Sequence, residues 1–103
     1  MKFEKLVRDR IPEIIESKGE TAVTHIAEDK EFREKLREKL DEEIEEFDKH
    51  HNAEELADVL EVLEALAKSH DISWERVKEL KKKKAKERGG FEQRVILDET
   101  KKK

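Results

Sequence analysis

What most limits the folds open to this chain is a pair of apolar stripes on either side of a short polar stretch, Asp48–Asn52. Upstream, Phe32, Leu36, Leu40, Ile44 and Phe47 recur every three or four residues; downstream, Leu56, Val59, Leu60, Leu63, Leu66 and Ala67 do the same. That period belongs to a helix with one apolar side. Asp29 stands where the first helix needs an N-cap and Asn52 where the second does, each a short polar side chain able to accept from an orphan amide. Two such helices joined by so short a connection fold back on each other, apolar side to apolar side.

Acidic residues lie at mirrored distances from that turn. Glu43 and Glu46 precede it, Glu55 and Asp58 follow it, and each pair has the i, i+3 spacing that shares a helix face. In an antiparallel pair Glu46 then faces Glu55 and Glu43 faces Asp58. At about 100° per residue, Glu43 falls inside the arc of Phe32, Leu36, Leu40 and Phe47, with Glu46 on its edge. Glu55 falls inside the downstream arc and Asp58 flanks it. A carboxylate turned toward a core costs several kcal/mol unless it is paired or metal-bound, and helix axes roughly 8–10 Å apart leave room for carboxylate arms around a cation. The all-oxygen donor set suits Mg²⁺, or Mn²⁺. Two plainer readings stay open: 28 acids in 103 residues generate such strings by chance, and Asn52-Ala-Glu-Glu55 also fits a helix-capping box.

The rest of the chain reads as helix with little else. Pro12 suits the first turn of a short helix ending near Gly19; Ser73 opens a third long helix carrying Trp74, Val77 and Leu80, which Gly89-Gly90 stops. Thr21–Ile26 and Arg94–Leu97 read as short strands that pair in a small β-ribbon. The expectation is a mostly α single domain, residues 1–103, built as a helical bundle. Half the residues are charged, yet the formal net charge is only −4, so no general field draws in a nucleic-acid polymer. There is no cysteine for a disulfide or thiolate site, and neither a signal peptide nor a membrane span is legible, so a cytoplasmic protein is expected.

The acids sit in strings with a wider likeness. Lys39-Leu-Asp-Glu-Glu-Ile-Glu-Glu-Phe47 and Glu54-Glu-Leu-Ala-Asp-Val-Leu60 resemble the Glu-Glu-x-x-Glu and Glu-x-x-Asp helices of the MazG-like all-α nucleoside triphosphate pyrophosphohydrolases, through Glu42, Glu43, Glu46, Glu55 and Asp58. The opening Lys5-Leu-Val-Arg-Asp9 with Ile11-Pro12, and the closing Lys86-Glu-Arg-Gly-Gly-Phe91 with Arg94, look like a small single-domain house-cleaning subgroup. The resemblance implies Mg²⁺-dependent cleavage of a nucleoside triphosphate to monophosphate and pyrophosphate. It places Glu43, Glu46, Glu55 and Asp58 on the metal, with Glu42 behind them or orienting water, and implies a homodimer or homotetramer, which the wide apolar arcs also suit. The related phosphoribosyl-ATP pyrophosphohydrolases of histidine biosynthesis share scaffold and metal chemistry and are the enzymatic alternative. A non-catalytic helical adaptor with a structural cation is the alternative of another class.

Phosphates require cations, and the sequence offers Lys5, Arg8 and Arg10 near the start and Lys82, Lys86, Arg88 and Arg94 near the end. Arg8, Lys86 and Arg88 stand out through the family-like segments around them. Most of Lys81–Lys84 reads as a solvated helix face. His25, His50, His51 and His70 show no metal-ligand spacing and are expected to be exposed, and Trp74 is expected to pack in a core.

Overall fold

The computed structural model describes residues 4–103. Four helices account for all the regular structure among them: α1 (Ile11–Ser17), α2 (Asp29–His50), α3 (Ala53–Ser69) and α4 (Trp74–Arg88). The chain divides into two compact units at Ile72/Ser73, the first holding α1–α3 and the second α4 with the segment after it.

In the first unit α2 and α3 pack against each other. Their hinge is chemically specified. His51, the residue after α2, takes a left-handed conformation (φ 49°, ψ 42°) and donates its N–H to the Phe47 carbonyl at 2.8 Å, so the helix closes on an αL cap. The His51 ring meets Phe47 edge-on at 5.6 Å between centroids. Asn52 then caps α3, its side chain accepting from the Glu55 N–H at 3.0 Å. At the far end of the hairpin the Arg33 guanidinium donates twice to the Ser69 carbonyl, at 3.0 and 3.3 Å. That fork ties the beginning of α2 to the last turn of α3 and satisfies a carbonyl that the helix itself leaves free.

The core between the two helices is narrow. Leu36, Val62 and Ala67 are buried, Leu36 most of all at 2% exposed, and Phe32, Leu40, Phe47, Val59 and Leu66 are half-buried around them. The arcs expected from sequence were centred too far to one side. On α3 Val62, outside the expected arc, is buried along with Ala67, while Leu56, Leu60 and Leu63 are 52%, 48% and 39% exposed; on α2 Ile44 is likewise open. A lone helix pair can bury one strip per helix, so an arc this wide leaves its margin in water.

Further corrections concern local structure. Glu28 holds the N-cap position of α2 without a side-chain cap bond, and Asp29 is the first helical residue, so it favours the helix through charge near the amino end rather than by capping. No β-ribbon forms among the described residues: 21–26 and 94–97 are in no strand, with Val23 and Ile26 about nine-tenths exposed or more and Val95, Ile96 and Leu97 about three-quarters or more. Neither segment covers its apolar residues, and a two-stranded ribbon without a packed face is marginal in water. His25 instead reaches Glu31 in the first turns of α2, at 2.9 Å.

In the second unit Ser73 caps α4 as expected, accepting from the Arg76 N–H at 3.3 Å. Gly89 ends it with φ 83° and an N–H bond to Ala85 of 2.8 Å. Trp74, Val77 and Leu80 are half-buried, and residues 81–88 are exposed all round. Among the described residues, no helix is long and apolar enough to cross a membrane.

Candidate metal centre

The antiparallel register set by the His51 turn decides which acids meet. One carboxylate oxygen from each of Glu43, Glu55 and Asp58 lies within 4.8 Å of the other two, and Glu46, His50 and Glu55 form a second such triplet. Glu55 belongs to both. The four acids singled out by their mirrored spacing therefore converge as two overlapping groups along the hairpin.

Their surroundings differ. Glu43 is the one buried charged residue among those described, at 9% exposed, whereas Glu46, Glu55 and Asp58 are half-buried. A carboxylate as enclosed as Glu43 loses much of its hydration. Lys39 offsets part of that loss, its Nζ 3.2 Å from Oε1 with both side chains mostly covered. Lys39 precedes Glu43 by four residues, the less favourable order for a helical ion pair, and it also serves Glu42 at 3.4 Å. Glu46 is engaged from its own helix by Lys49 at 3.7 Å and His50 at 3.5 Å.

The basic residues proposed for phosphate are differently placed. Lys5 and Arg8 reach the acids: Lys5 Nζ is 3.3 Å from Glu42 Oε1, and Arg8 Nη2 is 2.8 Å from Asp58 Oδ1, with Arg8 Nη1 3.9 Å from Glu61. Arg10 turns away to Glu13 at 3.5 Å. Lys82, Lys86 and Arg88 are exposed on α4 and Arg94 lies beyond it, all in the second unit.

Three carboxylates gathered across two helices suit a hard divalent ion. Neighbouring oxygens around an octahedral Mg²⁺ with bonds of about 2.1 Å stand about 3.0 Å apart, so the ligand atoms of Glu43, Glu55 and Asp58, which lie within 4.8 Å of one another, would have to draw together to share one ion. The residue that sequence reading considered and set aside is His50, which is exposed as expected yet joins a triplet with Glu46 and Glu55. Its signal was available in the Glu46-x-x-x-His50 spacing, one helical turn, but only the hinge shows that Glu55 closes the triplet. A hollow lined by His25, Ile26, Glu28, Lys30, Glu31 and Glu34 shares no residue with either group. Comparison of the chain with family models, with curated proteins and with solved structures gives no match.

Proposed function

We propose that this protein is a metal-dependent nucleotide pyrophosphohydrolase, its helices those of the all-α pyrophosphohydrolase bundle, with Glu43, Glu46, Glu55 and Asp58 holding Mg²⁺ or Mn²⁺. The observation that carries the reading is the placement of buried Glu43 beside Glu55 and Asp58, with ligand oxygens within 4.8 Å. Like charges favour spreading apart; these three come from two helices and meet with Glu43 buried and Glu55 and Asp58 half-buried.

When bound, the divalent ion supplies charge neutralisation for the phosphates and a water acidic enough to attack. The protein's own part is positional. The αL turn at His51 and the Asn52 cap fix the register that brings the acids together, and the Arg33 fork holds the other end of the hairpin. Glu42, one residue before Glu43 and paired with Lys5 and Lys39, is assigned the role of orienting the attacking water or steadying a ligand. Of the bases proposed for phosphate, Arg8 reaches Asp58 and Lys5 reaches Glu42, and they are the first candidates to meet substrate phosphates. Products are a nucleoside monophosphate and pyrophosphate, formed without a covalent enzyme intermediate.

The exposed leucines of α3 support an oligomer. Leu56, Leu60 and Leu63 share one side of α3 at i, i+4 and i+7, and burial of such a strip by a partner helix is the usual route to a homodimer or homotetramer. The same strip favours a second reading, a helical adaptor that uses it to hold another protein and keeps the acids for a structural cation. Pure protein incubated with standard and modified nucleoside triphosphates and with phosphoribosyl-ATP, with and without Mg²⁺, separates these. Metal-dependent pyrophosphate release is the expected result, and the fastest substrate decides between nucleotide cleaning and histidine biosynthesis. No turnover of any substrate makes the adaptor the better reading.

A further inference from the structure

The segment leading into α1 lies across the acid-bearing side of the hairpin. Lys5 grips Glu42 on α2, and Arg8, a contact 50 residues distant in sequence, grips Asp58 on α3. Of the two, Arg8 touches the Glu43, Glu55 and Asp58 group directly: Asp58 Oδ1 accepts from its Nη2 at 2.8 Å. A guanidinium held that close occupies one lone-pair direction of the carboxylate and places a positive charge beside the position a cation would take. A second partner is within reach. Glu61, one turn further along α3, has its carboxylate 3.9 Å from Nη1 of the same guanidinium, so Arg8 can leave Asp58 for Glu61 without leaving the helix.

We propose that Arg8 is a resident counter-ion of Asp58, which a divalent cation displaces toward Glu61. The inference rests on the metal reading above and deepens it, because it sets cation binding in competition with the Arg8–Asp58 pair. In the absence of metal the guanidinium quiets the repulsion among the acids; with metal bound it is freed from Asp58 at the edge of the site, where an anionic phosphate can recruit it. Both carboxylates that pair with Arg8 are at least one-third exposed, so the exchange takes place at the surface and involves no repacking of the core.

The test is Mn²⁺ binding to the full chain, followed by the loss of the free-ion electron paramagnetic resonance signal, for wild type, Arg8→Gln and Arg10→Gln. Arg10 is the control, because it loses the same charge two residues away but pairs with Glu13 and not with the cluster. Arg8→Gln is expected to bind Mn²⁺ about two- to fivefold more tightly, the span of a partly exposed ion pair, with Arg10→Gln unchanged. Equal or weaker binding by Arg8→Gln overturns the proposal and makes the guanidinium a support that positions Asp58. Equal tightening in both variants also overturns it, since diffuse charge would then be the cause. No Mn²⁺ binding by any of the three removes the metal reading together with this inference.

Discussion

The two sides of the α2–α3 hairpin break opposite rules. One side encloses charge: Glu43 is buried, Glu55 and Asp58 stand beside it, and the segment carrying Lys5 and Arg8 crosses over them. The other leaves apolar surface open at Ile44, Leu56, Leu60 and Leu63. A helix pair selected for its own stability would exchange these arrangements, placing leucine inside and carboxylate outside. The contrast teaches that burial in this helix pair does not follow residue polarity on either side. Under the function proposed above, a cation would account for buried Glu43 and a partner for the open leucines.

The largest expected effect breaks the acidic side. Glu43→Gln or Asp58→Asn should lower Mg²⁺-dependent pyrophosphate release by about a hundredfold or more, since a lost ligand weakens both metal affinity and the stabilisation the metal gives the transition state. Glu43→Gln should nevertheless leave the metal-free protein no less stable to heat, because one repelling charge is gone and Lys39 retains Glu42. Melting curves recorded without metal check that sign, and a large drop in melting temperature would show that Glu43 serves the fold. Leu36→Ala is the converse. Truncating the most buried side chain should cost about 2–4 kcal/mol in urea unfolding, with activity per folded molecule retained.

Leu60→Glu sharpens the apolar side. A charge in the middle of the exposed strip should shift sedimentation toward monomer while far-ultraviolet circular dichroism keeps its helical signal, because the residue packs little within the chain. Unchanged sedimentation of wild type and variant as monomers would remove the oligomer from the proposal. Smaller again is Arg33→Ala, which removes the fork on the Ser69 carbonyl and should cost about 1 kcal/mol. The smallest effect is expected at His51→Gly: relief of the left-handed backbone and loss of the Phe47 ring contact oppose each other, for a net change within about 0.5 kcal/mol.

Much of the hairpin was legible because its signals are local. Asn52, Ser73 and Gly89 do what such residues do at helix ends, and the spacing of the acids about the turn is enough to bring Glu46 to Glu55 and Glu43 to Asp58. What sequence did not disclose depends on neighbours distant along the chain. Thr21–Ile26 has the alternation of a strand, but a strand requires an adjacent edge, and none comes. The apolar arc of α3 was misplaced toward the leucines because periodicity reports which side is greasy, while burial depends on what arrives to cover it; Val62 is inside and Leu60 is not. Arg8 stood out in the sequence as a base for phosphate, but its place on Asp58 came only with the fold, and His50 was one of four histidines until the turn brought Glu55 to it.

The two connections within the first unit should age differently over evolutionary time. One extra residue between His50 and Ala53 would break the pairing of the His51 αL cap with the Asn52 cap that sets the register of α3, and so disturb the approach of Glu55 and Asp58 to Glu43. The stretch from Glu20 to Glu28 has no ladder to disrupt and no ligand to misplace, so insertions can accumulate there. Among lineages descended from this chain, length should vary before α2 and stay fixed after it.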